Sequence, residues 1–371
     1  MTILKNYPFY IRSTVILFGL VLFSFALANL RGILIPFSFA LFLAILLNPL
    51  VDRLKKWGIP RVSAIVLALV VAIIIIAGVW YFLATQIMHF TDQMPVLQKK
   101  TTELVSKLQQ DLVDRFRIPL EKQNQYIGEA KAGIKPLIGQ LLGTFIGTLT
   151  TAFLLPVYTF LLLYYKTLIL NFLYEIFAEQ NAEEVSTVLR QIKGAIQHYM
   201  FGLLIEGLIV ASLNTIALMI LGIPYAVLLA VLGAILNVLP FIGGILAALL
   251  PIAVATITRD GVNTQIGVAI CYIVIQFVDN HFLIPYIVSS KVRINALLSI
   301  VAVLLGGAVW GFSGMFLSIP FIGALKIIFD RIPELKPWGK LLGDEVPTRV
   351  RSVRPPRAAG VRKPRRMRVR G

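Results

Sequence analysis

Residues 207–258 read GLIVASLNTIALMILGIPYAVLLAVLGAILNVLPFIGGILAALLPIAVATIT, without one Lys, Arg, Asp or Glu. Crossing a hydrocarbon core ~30 Å thick takes ~20 helical residues, so the stretch is too long for a single helix. Gly222, Ile223 and Pro224 form a turn signal that splits it. The second part, 225–258, is interrupted again by Asn237, Pro240, Gly243 and Gly244. Lipid cannot satisfy backbone groups freed by such a break, so this backbone must be buried in protein or line a wet cavity.

Outward from this stretch, further charge-free runs occupy 13–30, 32–51, 62–91, 136–165, 261–278 and 294–325. Together they make eight hydrophobic units and predict an all-α polytopic membrane protein with about eight transmembrane helices, some of them discontinuous. The bulk composition agrees: 58% hydrophobic residues, 14% charged, and a mean hydropathy of +0.83. Such a chain is too apolar to give a soluble fold a wettable surface, and residues 1–345 are expected to form one membrane domain. One cysteine, Cys271, and three scattered histidines predict neither an intrachain disulfide nor a metal site.

The net charge of +17 suggests nucleic acid until it is located. Ten of the 35 basic residues lie in 346–371, a segment with no Asp or Glu, and the remaining ones cluster in short connections, where they act as orientation signals. No nucleic-acid partner is expected; the partner is the lipid bilayer. Asp52, Arg53, Lys55, Lys56 and Arg61 between the second and third spans place that loop and the N-terminus in the cytoplasm of a bacterial inner membrane. On that count Lys291 and Arg293 face outward, against the rule. The first span ends in Ala26-Leu27-Ala28, a small-x-small pattern that resembles a signal-peptide cleavage site, but the next apolar segment follows at once and an uncleaved span is expected. The Arg- and Pro-rich tail 346–371 cannot bury a core and is expected to be disordered, either a polybasic arm on anionic lipid or a run-on sequence such as a shifted reading frame.

Two polar inserts interrupt the membrane pattern. In 89–135, Leu97, Leu104, Val105, Leu108, Leu112 and Phe116 recur at helical spacing among charges, which predicts an external amphipathic helix. In 166–197, Asn181 and Glu184 stand in capping-box register ahead of Val185, Leu189, Ile192 and Ile196, which predicts a cytoplasmic helix that feeds the fifth span.

The text LGIPYAVLLAVLGAILNVLPFIGG at 221–244 and QFVDNHFLIPYIVSSKVRINALLSIVAVLLGGAVWGFSGMFLSIPFIGALKII at 276–328 resembles the AI-2E family of transporters, the autoinducer-2 exporter family. The resemblance covers roughly residues 10–335, its marks being Asn237, Pro240 and Gly243 in the first stretch and the LGG-x-x-WG-x-x-G element at 305–314 in the second. It implies eight membrane segments, a large insert after the third, and export of autoinducer-2 in some members, with cation/proton antiport assigned to others. The sequence departs from the family pattern at Asn295-Ala296, where a His-Pro pair is usual, and at Ser289-Ser290, where a Gly is usual.

Within the spans, Asp279 stands out, since a carboxylate at mid-bilayer costs ~2.5–3.5 kcal/mol on insertion scales and needs a partner or a wet cavity. Tyr272, Gln276, Asp279 and Tyr286 fall on one face of an ideal helix, a polar stripe, whereas His281 points away. Asp279 is either a pathway group or a packing hydrogen-bonder near a boundary. Glu206 shares a helix side with Gly202 and His198, so it is either half of a proton-sensitive pair or a boundary residue that snorkels to the headgroups. The broken segment is either a substrate and ion site or a structural kink, and the recurrence of PFIG at 320–323 hints at a second discontinuous segment. Gly139, Gly143 and Gly147 form a small-residue stripe for helix packing, within the chain or in a homo-oligomer.

No Walker A loop, dinucleotide fold signature, zincin motif or nucleophile elbow is present, so neither ATP drive nor enzymatic hydrolysis finds support, and no cofactor is expected. The resemblance, together with the broken segment and the intramembrane carboxylates, implies a secondary transporter exporting a small polar solute such as autoinducer-2, with proton or sodium coupling. A sodium/proton antiporter and a non-transporting membrane scaffold built on the external helix are the alternatives. The pathway candidates are Glu206, Asn237, Pro240, Gly243, Gly244, Gln276 and Asp279.

Overall fold

The computed structural model describes residues 8–92, 94–117, 119–121, 123–125, 128, 153–177, 182–238, 243–259, 262–288 and 294–344. Gly139, Gly143, Gly147, Pro240, Asn181 and the tail 346–371 lie outside them. Every regular element among the described residues is helical. In chain order these are α1 (Phe9–Asn29), α2 (Arg31–Lys56), α3 (Arg61–Asp92), α4 (Met94–Phe116), α5 (Leu154–Tyr164), α6 (Lys166–Phe177), α7 (Ala182–Ile220), α8 (Ala226–Asn237), α9 (Gly243–Thr258) and α10 (Asn263–Val278). A π segment (Asp279–Val288), α11 (Ala296–Arg331) and α12 (Lys336–Leu342) complete the order. Four helices, α2, α3, α7 and α10 with its π continuation, are long and apolar enough to cross a bilayer, and α11 joins them by total length and composition, though it is interrupted at Gly311. The chain is an all-α polytopic membrane protein.

Two sub-cores hold the helices together. In the first, Ala64, Ala68 and Ala72 repeat every four residues on α3 and let it lie close against Leu47, Val51 and Leu54 of α2 and Leu163 of α5. Arg61 donates to the Leu163 carbonyl at 3.3 Å and the Tyr164 carbonyl at 2.5 Å, satisfying carbonyls that the end of α5 leaves free. Lys166 opens α6, which bends 62° away from α5, and donates to Asn48 Oδ1 of α2 at 2.7 Å. The end of the molecule marked by Lys55, Arg61 and Lys166 also carries the first half of α7, with Lys193 near Lys166 and Gln197 donating to the Ile45 carbonyl at 2.7 Å. At the opposite end Phe90 of α3 meets Tyr225 edge-to-face at 5.1 Å.

The second sub-core explains the stretch 207–258. After α7 the chain reverses at Gly222 (φ 64) and Tyr225 (φ 61), and α8 runs back along α7. It then reverses again, because a Cβ on Gly243 would meet the Leu236 carbonyl and lie 2.7 Å from Asn237 Cα. Gly233 faces Ala247 in the same way, with a Cβ at 3.4 Å. The pair α8 and α9 is therefore a helical hairpin that returns to the end from which it entered. At 12 residues, α8 spans only ~18 Å, short of a full crossing.

A second hairpin lies in the segment expected to be one discontinuous span. Gly311 sits at φ 60 and ψ −140 inside α11. A Cβ on Gly306 would overlap the Gly314 carbonyl and Ser318 Oγ, and one on Gly307 would approach Met315 Cε at 2.6 Å. Residues twelve apart in a straight helix are ~18 Å apart, so the chain doubles back at Gly311. Its return arm packs Phe316 on Phe39 and Phe321 on Phe42, both of α2, at 5.6 and 5.7 Å. Pro320, the start of the second PFIG, is buried inside this arm, beyond the break at Gly311. The sequence reads each of these segments as one discontinuous span; length and hydropathy cannot distinguish an arm that returns from one that continues.

Candidate functional site

Three elements meet deep in the helical bundle. Glu206 lies on the face of α7 that also buries Tyr199, Gly202, Val210 and Asn214, a repeat of three and four residues typical of one helix side. It is 14 positions from the end of α7, ~21 Å along the axis, and only 2% exposed. Asn237 is the last residue of α8, where the first hairpin turns. Asp279, fully buried at 0% exposure, stands where α10 widens into the π segment.

The Asn237 side chain connects the other two. Its Nδ2 donates to Glu206 Oε1 at 3.0 Å and to Asp279 Oδ2 at 2.8 Å. Both hydrogens of one amide are thus spent on two carboxyl groups, which the shared donor draws together around one nitrogen. Gln276, one turn before Asp279, adds a longer contact from Nε2 to Asp279 Oδ2 at 3.4 Å. Among the described residues no Lys or Arg pairs with either carboxyl. Among the described residues, Asp279 Oδ1 and Tyr272 Oη are buried without a hydrogen-bond partner, as is Asn214 Oδ1 two turns beyond Glu206.

Glycines make the approach close enough. A Cβ on Gly244 would run into the Gln276 side chain, so the start of α9 is held against the polar face of α10. A Cβ on Gly202 would lie 2.5 Å from the Ile287 carbonyl and 2.7 Å from Val288 Cα, so α7 and the π segment touch through their backbones.

The structure thus brings together Glu206, Asn237, Gly243, Gly244, Gln276 and Asp279. It separates Glu206 from His198, which is exposed nearer the basic end, and Glu206 does not snorkel to the surface. His281 points away from Asp279, stacked on Phe277 at 4.2 Å with Nδ1 2.9 Å from the Phe277 carbonyl. The polar stripe holds through Tyr272, Gln276 and Asp279 and fails at Tyr286, which is 84% exposed. Beyond Asp279 the i→i+5 winding no longer returns a seven-residue step to the same face. Asn214 escaped the sequence reading, though its spacing of eight from Glu206 was a usable signal.

Buried carboxyls, carboxamides and a broken helix inside an apolar bundle are features from which many transporters build ion and solute sites, and similarity to known proteins shows what kind of protein carries them here. The profile of the AI-2E family transporter matches residues 13–334. The chain belongs to the AI-2E transporter family. It is 30% identical over 321 residues to a Haemophilus influenzae protein named "Putative transport protein", covering 84% of this chain and 90% of that one. It is 25% identical over 314 residues to the AI-2 transport protein TqsA of Escherichia coli, again with 84% and 90% coverage. The AI-2E chain described here is accordingly a multi-pass membrane protein of a transporter family.

Proposed function

We propose that this AI-2E chain is a secondary transporter of the bacterial inner membrane that exports a small polar solute, and that Glu206 and Asp279 take up the coupling ion. The observation that carries the reading is the single Asn237 amide shared by two buried carboxyls at the tip of a hairpin. Two adjoining carboxyls in a medium of low dielectric constant do not both stay ionised without a cation, so a proton or a sodium ion neutralises the pair. With the ion bound, the hairpin tip, α7 and α10 are held together. When it leaves, like charges on Glu206 and Asp279 push α7 and α10 apart, which opens the seat of the Asn237 amide between them and frees the hairpin to change the side of access. The basic end faces the cytoplasm, with the N-terminus on that side.

Autoinducer-2 is the candidate solute, because the E. coli relative is named for AI-2 transport. Residues 1–345 make up the transport domain, and the tail 346–371 is not needed for it. The second reading is sodium/proton antiport, favoured by Asp279 Oδ1, a buried oxygen with no donor among the described residues. Proteoliposomes separate the two: autoinducer-2 efflux that responds to a proton gradient supports the solute exporter. Sodium-dependent proton flux without solute transport would replace it with the antiporter.

A further inference from the structure

At the basic end, away from the carboxyl pair, a cleft of about 460 Å³ opens between α7 and the return arm of α11. Arg190, His198, Lys326 and Arg331 line it, and Gly194 and Ala195 give it a floor of small residues. Its acid, Asp330, is occupied by Lys326 at 2.6 Å. Arg190 and Arg331 form no ion pair among the described residues, so the cleft presents uncompensated positive charge.

The surface of α7 continues this cleft in a particular way. Arg190, Gly194 and His198 follow each other every four residues, and the same face goes on to Phe201 and Ile205, exposed by 45% and 50%. A charged pocket thus gives way within one turn to an open apolar lane. Trp338 of α12, 58% exposed, stands at the same end, where an amphipathic ring suits the boundary between headgroups and acyl chains. A soluble anion uses only the pocket. A phospholipid uses both: its phosphate among the arginines and its acyl chain along Phe201 and Ile205.

We infer that the cleft binds the phosphate headgroup of an anionic phospholipid, which clamps the base of the second hairpin to α7. The test is retention of phosphatidylglycerol by the purified full-length protein, read by native mass spectrometry after washing in neutral detergent. The wild type and Lys55→Gln/Lys56→Gln, which alters basic residues outside the cleft, should keep the lipid. Arg190→Gln/Arg331→Gln should lose it at least fivefold, and Arg190→Lys/Arg331→Lys, which keeps the charge, should restore most of the retention and show that the effect is not misfolding. Equal retention in the Gln variant, an equal loss in the Lys55/Lys56 control, or displacement of the lipid by 10-fold excess inorganic phosphate would each overturn the inference.

Discussion

Asn237 and Asp279, 42 residues apart in the chain, are joined by a hydrogen bond of 2.8 Å between the end of a hairpin arm and the point where a crossing helix widens. Neither residue is placed by regular helix geometry. Asn237 ends α8, and Asp279 begins the π segment, so each interruption supplies half of the contact. Breaks of this kind are expensive in a bilayer and persist where they line a site.

Asn237 is the shared donor, and its loss should be costly in two ways. Asn237→Ala leaves two buried carboxyls without their common partner, which is expected to destabilise the protein by ~1–3 kcal/mol. Thermal unfolding in detergent should show a lowered midpoint, and flux should fall at least tenfold. Asn237→Asp adds a third acid and should not rescue either quantity; a variant with wild-type flux would remove the bridge from the mechanism.

Gly311 is the turn of the second hairpin. Its φ of 60 and ψ of −140 lie in a region reserved for glycine, so Gly311→Ala should cost ~1–3 kcal/mol. Gly311→Ala and the exposed control Gly19→Ala, whose added Cβ meets nothing within 4 Å, can be compared by thermal unfolding. A negligible difference between the two would contradict the reversal at Gly311.

The hairpin also makes a topological prediction. Cysteines placed at Asn295 and Arg331, in a Cys271→Ala background, should react with a membrane-impermeant maleimide from the same side. A single continuous crossing would put them on opposite sides. Labelling from opposite sides would exclude the hairpin.

These two tests concern what the sequence could not show. Charge-free runs marked the apolar helices of the described residues, and Gly222-Ile223-Pro224 marked the turn after α7. In 294–325, however, Gly311 is one of several glycines in an unbroken apolar run, and nothing local marks it as the turn. The reversal shows only in tertiary contacts, such as Gly306 against Gly314. The candidate site was legible residue by residue, through buried-type carboxyls and a broken helix. Its assembly was not: Glu206 read as a neighbour of His198, because spacing along one helix says nothing about the Asn237 amide arriving from another. The polar stripe was extrapolated through Tyr286 on a helix period that ends at Asp279.

Asp279 and His281 offer a paired comparison within one segment. Asp279→Asn removes a charge from the cluster, whereas His281→Ala removes a ring stacked on Phe277 outside it. Asp279→Asn should reduce coupled transport at least tenfold and His281→Ala by less than threefold. Wild-type flux in both would take Asp279 out of the pathway.

If the Glu206 and Asp279 pair takes up the coupling ion, ion movement must accompany solute transport, and a flux assay that reads both at once decides the matter. Proteoliposomes loaded with a pH-sensitive dye and given an outward gradient of autoinducer-2 should show proton flux that tracks solute efflux in the wild type. In Asp279→Asn, solute should still exchange across the membrane while the linked proton signal, or the sodium dependence that replaces it, disappears. An Asp279→Asn protein that moves the same number of ions per solute as the wild type would show that the pair does not carry the coupling ion.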